Sequence, residues 1–272
     1  MYVGATLVWG VVAVIGVVAY FAYDLPDVEQ ALAATRRPTI TLLAANGTRL
    51  LTVGDIHGGA VALNDLPVAL PQAIMATEDR RYYSHFGLDV IGLARATYTN
   101  IMAGRVVQGG STITQQVAKN VFLTPERTFR RKVQELLLAL WLERKFSKDQ
   151  IFTVYLNRVY LGSGTYGVEA AAQRYFQKSA HRLTIWQSAM LAGLLKAPSR
   201  YNPIHNPDRA KRRTEQVLAN MVAAGYLSAA DARAVKNGDT KIRPVRSSRR
   251  SRYFSDWVLS QVRLMCRSTI AT

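Results

Sequence analysis

The stretch Thr128-Phe129-Arg130-Arg131-Lys132-Val133-Gln134-Glu135-Leu136-Leu137-Leu138-Ala139-Leu140-Trp141-Leu142-Glu143-Arg144-Lys145-Phe146 decides the fold class. Phe129, Val133, Leu136, Leu137, Leu140 and Trp141 recur at helical spacing, which predicts a long helix with these residues as its buried stripe. Outward from it, helices are expected at 71–84, 89–103, 113–120, 148–157, 167–176, 184–195 and 208–224. Thr184 stands where a helix begins and Pro198 lies beyond its end. Gly109-Gly110 and Gly162-Ser163-Gly164 separate elements. The strand signal sits over 39–54, where Asn46-Gly47 divides two apolar runs and reads as a hairpin. The body is therefore mainly α, with a small β element.

Before the hairpin, Met1 to Tyr23 contains no charged residue. At about 1.5 Å per residue such a helix reaches roughly 34 Å, enough to cross a bilayer core. No Lys or Arg precedes the run, so it reads as a retained transmembrane helix rather than a cleaved signal peptide. Residues 24–38 form a connector. Past 236 the composition shifts: six basic residues and no acidic ones lie between Lys241 and Arg252. This reads as a linker, and Tyr253-Phe254-Ser255-Asp256-Trp257-Val258 then looks like the opening of another folded unit.

The 272 residues carry 35 Lys and Arg against 18 Asp and Glu, a net charge of +17. Nucleic acid, anionic lipid headgroups or a phosphorylated substrate would each suit that charge. Beside a membrane anchor, nucleic acid is set aside as a partner. A single cysteine, Cys266, excludes an internal disulfide, and the four histidines are too scattered for a helical metal pair.

Three polar clusters carry the candidate chemistry. Glu78-Asp79-Arg80-Arg81-Tyr82-Tyr83-Ser84-His85-Phe86-Gly87 ends an apolar helix, and it reads either as a salt-bridged cap or as a catalytic carboxylate with its orienting donors. Gly109-Gly110-Ser111-Thr112-Ile113-Thr114-Gln115-Gln116-Val117-Ala118-Lys119-Asn120 offers backbone donors and hydroxyls to an anion, though ordinary helix capping uses the same residues. Arg131, Lys132 and Glu135 share one helix face. Either they form a surface ion pair, or they set a carboxylate beside two cations to meet a phosphorylated group.

In order and spacing these clusters resemble the motifs of the family 51 glycosyltransferases, found in class A penicillin-binding proteins. Tyr155-Leu156-Asn157, Val159-Tyr160-Leu161-Gly162 and Ala197-Pro198-Ser199-Arg200-Tyr201-Asn202-Pro203 extend the match, which covers roughly residues 42–227. Three positions depart from it. Tyr82 stands where the family usually has Phe, while Thr153 and Gln187 replace common glutamates.

The resemblance implies a lysozyme-like, mainly α glycosyltransferase domain over 39–235, with a smaller membrane-embedded lobe. It implies that Glu78 is the general base on the acceptor sugar, and that Arg131, Lys132 and Lys119 stabilise the departing pyrophosphate. Glu135 would support that side directly or through a divalent cation (Mg or Mn). Ser111, Thr112, Gln115, Gln116 and Asn120 would serve the donor cleft, with Asp79 and His85 ordering the first motif. The implied substrates are lipid II and the growing glycan chain at the outer face of the bacterial cytoplasmic membrane, with cell-wall elongation or division proteins as further partners. In bifunctional relatives the aromatic stretch after 252 leads into a transpeptidase domain. No Ser-x-x-Lys occurs in this sequence, so transpeptidase activity is not expected and 236–272 reads as the start of a missing domain. A truncated, inactive membrane fragment and a lysozyme-like hydrolase are the competing expectations.

Overall fold

The computed structural model describes residues 40–43, 45–47, 49–53, 56–105, 109–124, 126 and 128–237, with isolated positions 9, 12, 16, 21, 242 and 257. The expected anchor, the connector and the tail beyond Asn237 lie outside the described residues except at those isolated positions. Among the described residues no helix is long and apolar enough to cross a membrane.

The Asn-Gly hairpin forms. Strand β1 (Ile40–Leu43) pairs antiparallel with β2 (Arg49–Val53), with Ile40 opposite Val53 and an irregularity between Leu42 and Leu43. Gly47 supplies the positive φ (78°) that such a turn requires. A second sheet is too short to read from sequence. It pairs β3 (Ile56–His57) in parallel with β4 (Thr165–Tyr166), far along the chain.

The rest is helical: α1 (Ala69–Glu78), α2 (Val90–Met102), α3 (Ile113–Phe122), α4 (Phe129–Lys145), α5 (Lys148–Arg158), α6 (Val168–Phe176), α7 (Ile185–Leu194), α8 (Pro207–Ala223) and α9 (Ala229–Asn237). Local sequence explains their starts. Thr112 with Gln115, Ser147 with Gln150 and Thr184 with Gln187 each form a reciprocal capping box for α3, α5 and α7. The expected helix over 71–84 stops at Glu78, where Asp79 leaves helical geometry (φ −157°, ψ 80°), and only a 3₁₀ turn follows at Tyr82–Ser84. Helix α9 lacks a strong apolar stripe and was not expected.

Two helix groups meet. Helix α7, buried along Trp186–Leu194, packs on α8 and α1, while α3 packs on α4 and α5. Helix α6 touches both groups through α5 and α7. Tyr82, Phe152 and Tyr155 stack in sequence at the base of the second group, with ring centroids 5.3 and 6.2 Å apart.

The stripe expected on α4 is corrected. Phe129 is 79% exposed, Leu140 is exposed, and Val133, Leu136, Leu137 and Trp141 are only half-buried. The buried face runs through Glu135, Leu138, Ala139 and Leu142, which also have helical spacing. The helix is apolar on two adjacent faces, and α3 docks on the one that brings Glu135 inside. Helix α2 is similarly bare: Val90, Ile91, Leu93, Tyr98, Ile101 and Met102 are all exposed.

Two glycines are required by close approach. A Cβ at Gly167 (φ 83°) would lie 2.8 Å from the Asn157 carbonyl oxygen, and one at Gly87 (φ 73°) would lie 3.2 Å from the Ala139 carbonyl. Gly167→Ala is expected to lower unfolding stability by about 1–3 kcal/mol in urea titration. A loss under about 0.5 kcal/mol, the usual scatter of an unconstrained site, would contradict this contact.

Candidate active site

Glu78 is the last residue of α1, and its Oε2 accepts a 2.9 Å hydrogen bond from Gln116 Nε2 on α3. Gln116 Oε1 in turn accepts from the Tyr155 hydroxyl on α5 (3.2 Å). Burial pushes the Glu78 carboxyl above its usual 4.5; the Gln116 bond and the positive charges of Arg213, Lys196 and Lys119 oppose that rise without cancelling it. A carboxyl so placed is a stronger proton acceptor than a solvated glutamate.

Asp79 turns the other way. Its Oδ2 accepts the backbone N–H of Ile113 at 3.0 Å, and its carboxylate lies 3.0 Å from His85 Nε2. An anion below the first turn of α3 satisfies a donor that the helix itself leaves unpaired. Thr112, the cap of that helix, donates its hydroxyl to the Gly87 carbonyl (2.8 Å), so the first and second clusters interlock. Thr112 and Gln115 are buried in their capping box, with their side chains committed to the start of α3.

The third cluster forms a separate pole. Glu135, buried on α4, accepts from Arg131 NH1 (2.9 Å) on one oxygen and from Lys132 Nζ (2.6 Å) on the other. Lys132 also donates to Ser111 Oγ at 3.0 Å. Ser111 lies just before the cap of α3 and Gln116 near its start, five residues apart in the chain. The two carboxylates are therefore tied to neighbouring points on one short segment. Lys119 is half-buried on the last turns of α3, within the electrostatic reach of Glu78, and Asn120 beside it is exposed.

A divalent cation fits the Glu135 cluster poorly. Both Glu135 oxygens already face cations, and among the described residues no three His, Cys, Asp or Glu side chains converge as metal ligands would.

Several contributors were invisible to spacing. Arg213 and Lys196 approach Glu78 from α8 and from the segment after α7. Arg213 is half-buried, its Nε directed at the Gly193 carbonyl (3.4 Å), with its guanidinium 5.8 Å from the Tyr201 ring centre. Glu143 accepts from Thr114 (2.5 Å) and Lys148 (2.7 Å) through one oxygen, joining α3, α4 and α5, and Lys148 lies over the Tyr82 ring. The helical period placed Glu143 at the end of α4 but gave no sign of these partners.

The three departures from the family pattern are accommodated. The extra hydroxyl of Tyr82 donates to the Lys148 carbonyl (2.7 Å). Gln187 completes a capping box in which glutamine serves as well as glutamate. Thr153 bonds back to the Asp149 carbonyl (2.7 Å).

The helical domain thus holds a raised carboxyl at one pole and a carboxylate–dication cluster at the other, joined through the start of α3. The chain belongs to the transglycosylase family, whose family model matches residues 46–222. It is 43% identical over 239 residues to penicillin-binding protein 1A of Aquifex aeolicus (strain VF5), covering 88% of this chain and 33% of that protein. To penicillin-binding protein 1F of Bacillus subtilis (strain 168) it is 44% identical over 187 residues, 69% of this chain and 26% of that one. The crystal structure of penicillin-binding protein 1A from Haemophilus influenzae shares the fold, with a TM-score of 0.50 at 24% identity over 84% of this chain and 24% of that one. The chain thus spans a third or less of the length of these relatives.

Asp79→Ala removes the acceptor from two buried donors. It is expected to cost about 2–4 kcal/mol of stability, measured by chemical denaturation, since each orphaned donor costs about 1–3 kcal/mol. A neutral substitution would show that the Ile113 bond does not hold α3 in place.

Proposed function

We propose that this chain is a peptidoglycan glycosyltransferase domain that joins lipid II units into β-1,4-linked glycan strands. The observation that carries the reading is the contrast between its carboxylates: Glu135 is neutralised by Arg131 and Lys132, whereas Glu78 is held by one amide donor and raised by burial.

Glu78 takes the proton from the 4-hydroxyl of the acceptor N-acetylglucosamine. That oxygen bonds to the anomeric carbon of the growing chain while the bond from carbon to pyrophosphate oxygen breaks with inversion. The electron pair leaves with undecaprenyl pyrophosphate. Arg131 and Lys132 meet the developing negative charge, where preorganised cations act most strongly. Glu135 and Ser111 hold those cations in place, and Lys119 and Asn120 extend the polar wall. Thr112 and Gln115 fix the start of α3, while Asp79 and His85 fix the turn that carries the base. A hydrolase reading is weaker, because a glycan substrate offers no pyrophosphate for the dication cluster.

The apolar faces of α2 and Phe129 suit contact with the bilayer that carries the lipid substrate, and the basic charge suits its anionic headgroups. The 1–23 run would anchor the chain once, with this domain on the outer side of a bacterial cytoplasmic membrane. Elongation or division proteins would be its cell-wall partners.

Glycan formation from labelled lipid II in detergent tests the reading, with moenomycin as inhibitor control. Glu78→Gln is expected to lower the rate at least about 100-fold, the lower range for a lost general base. Activity needs ionised Glu78, so with its pKa raised the rate should fall on acidification at a pH above 4.5. Unchanged polymer from Glu78→Gln, or shortening of pre-made strands by the wild type, would contradict the assignment.

A further inference from the structure

Tyr155 is fully buried on α5, and its hydroxyl donates to Gln116 Oε1. The other end of the same amide donates to Glu78 Oε2. The two ends of a glutamine amide are nearly alike in shape and opposite in hydrogen-bonding sense, so their neighbours decide which way the group points. Burial, reinforced by the charges of Glu78 and Asp79, holds the Tyr155 phenol well above its ordinary range, so it keeps its proton and presents a donor. A reversed amide could still donate to the phenol oxygen, but the phenol proton would lose its acceptor, so the amide oxygen is favoured on the Tyr155 side and the nitrogen on the Glu78 side.

We propose that Tyr155 is a positioning residue for the base: it fixes the direction of the Gln116 amide, so that Glu78 meets a donor and is held as a carboxylate. This rests on the reading of Glu78 as the general base. With the amide reversed, the Gln116 oxygen would face the Glu78 oxygens, a contact that only a protonated Glu78 can satisfy. A protonated Glu78 cannot accept the proton of the attacking hydroxyl. Tyr155 therefore selects against the protonation state in which no transfer occurs.

The charges that face Glu78 do not supply this selection. Lys119 on α3, Arg213 on α8 and Lys196 after α7 each favour the carboxylate, and the neighbouring Asp79 is turned toward Ile113 and His85. Their fields act whichever way the amide points. The directional part comes from the hydroxyl of Tyr155, which explains why a tyrosine on a third helix, with no direct bond to Glu78, belongs to the site.

The test is the pH dependence of glycan formation by the whole chain in detergent, comparing wild type with Tyr155→Phe, Gln116→Met and the double variant. Tyr155→Phe is expected to move the acid limb toward neutral pH and to lower kcat about tenfold, the scale of one lost hydrogen bond. KM for lipid II should stay within about twofold, and Tyr155→Phe should add no more than about twofold in the Gln116→Met background, as two changes on one pathway do. A thermal melt checks that each variant is folded. Should Tyr155→Phe fail to fold, Gln116→Met alone carries the expectation of a displaced acid limb. A wild-type acid limb in the folded variants, or fully additive losses, would overturn the proposal. Glu78→Gln run alongside separates the two failures. If it stays active, the base assignment fails; if it is dead while Tyr155→Phe keeps the wild-type profile, only the positioning role fails.

Discussion

The bond from the Ile113 backbone N–H to the Asp79 carboxylate, 3.0 Å long, is the joint on which the site depends. Asp79 is the first residue past α1, and Ile113 is the first residue of α3. A buried carboxylate needs donors, and the first turn of a helix has N–H groups without partners. Their meeting fixes the end of one helix against the start of another. His85 closes the other side of the carboxylate, and the Thr112–Gly87 bond secures the intervening turn. With residue 79 held there, Glu78 at the tip of α1 faces Gln116, one turn further along α3. Glu78 is thus placed at the seam between the two helix groups by a bond that its neighbour Asp79 makes.

From that joint the site divides its charge. Beside the α4 edge, a carboxylate spends both oxygens on cations and serves to hold them close together. Beside the α1 edge, a carboxylate has one directional donor and three more distant charges, and burial prevails. The two glutamates thus sit in different surroundings: Glu135 lies between two cations, and Glu78 is raised by burial. The α3 segment lies between them, and its Ser, Thr and Gln residues divide their contacts: Ser111 meets Lys132, Thr112 and Gln115 cap the helix start, and Gln116 meets Glu78.

Much of this was legible in the sequence. Eight helices could be placed because their apolar period, capping residues and Gly breaks are local signals, and the hairpin because Asn-Gly is a local turn signal. The parallel β3–β4 pair joins two-residue strands more than 100 residues apart, which no local pattern reveals. Helix α4 shows the limit most clearly. Its period was right, but the choice between two apolar faces was made by the packing of α3, which buries Glu135 while Lys132 stays exposed. The twelve polar positions of the candidate site could be named from motif order. Their division of labour could not, because a capping box, a cation clamp and an amide donor look alike as Ser, Thr and Gln in a row. Arg213, Lys196 and Glu143 act through tertiary contacts, which spacing does not record.

The most direct test of the account is a titration of Glu78 itself. Carboxyl-labelled glutamate would be followed by carbon NMR, with Glu78→Gln assigning the signal. The account predicts a midpoint above the usual 4.5 in the wild type and a further rise when the Gln116 amide is removed. A midpoint at or below 4.5, or one indifferent to Gln116, would mean that this seam does not hold a base, and the contrast between the two poles would lose its chemical meaning.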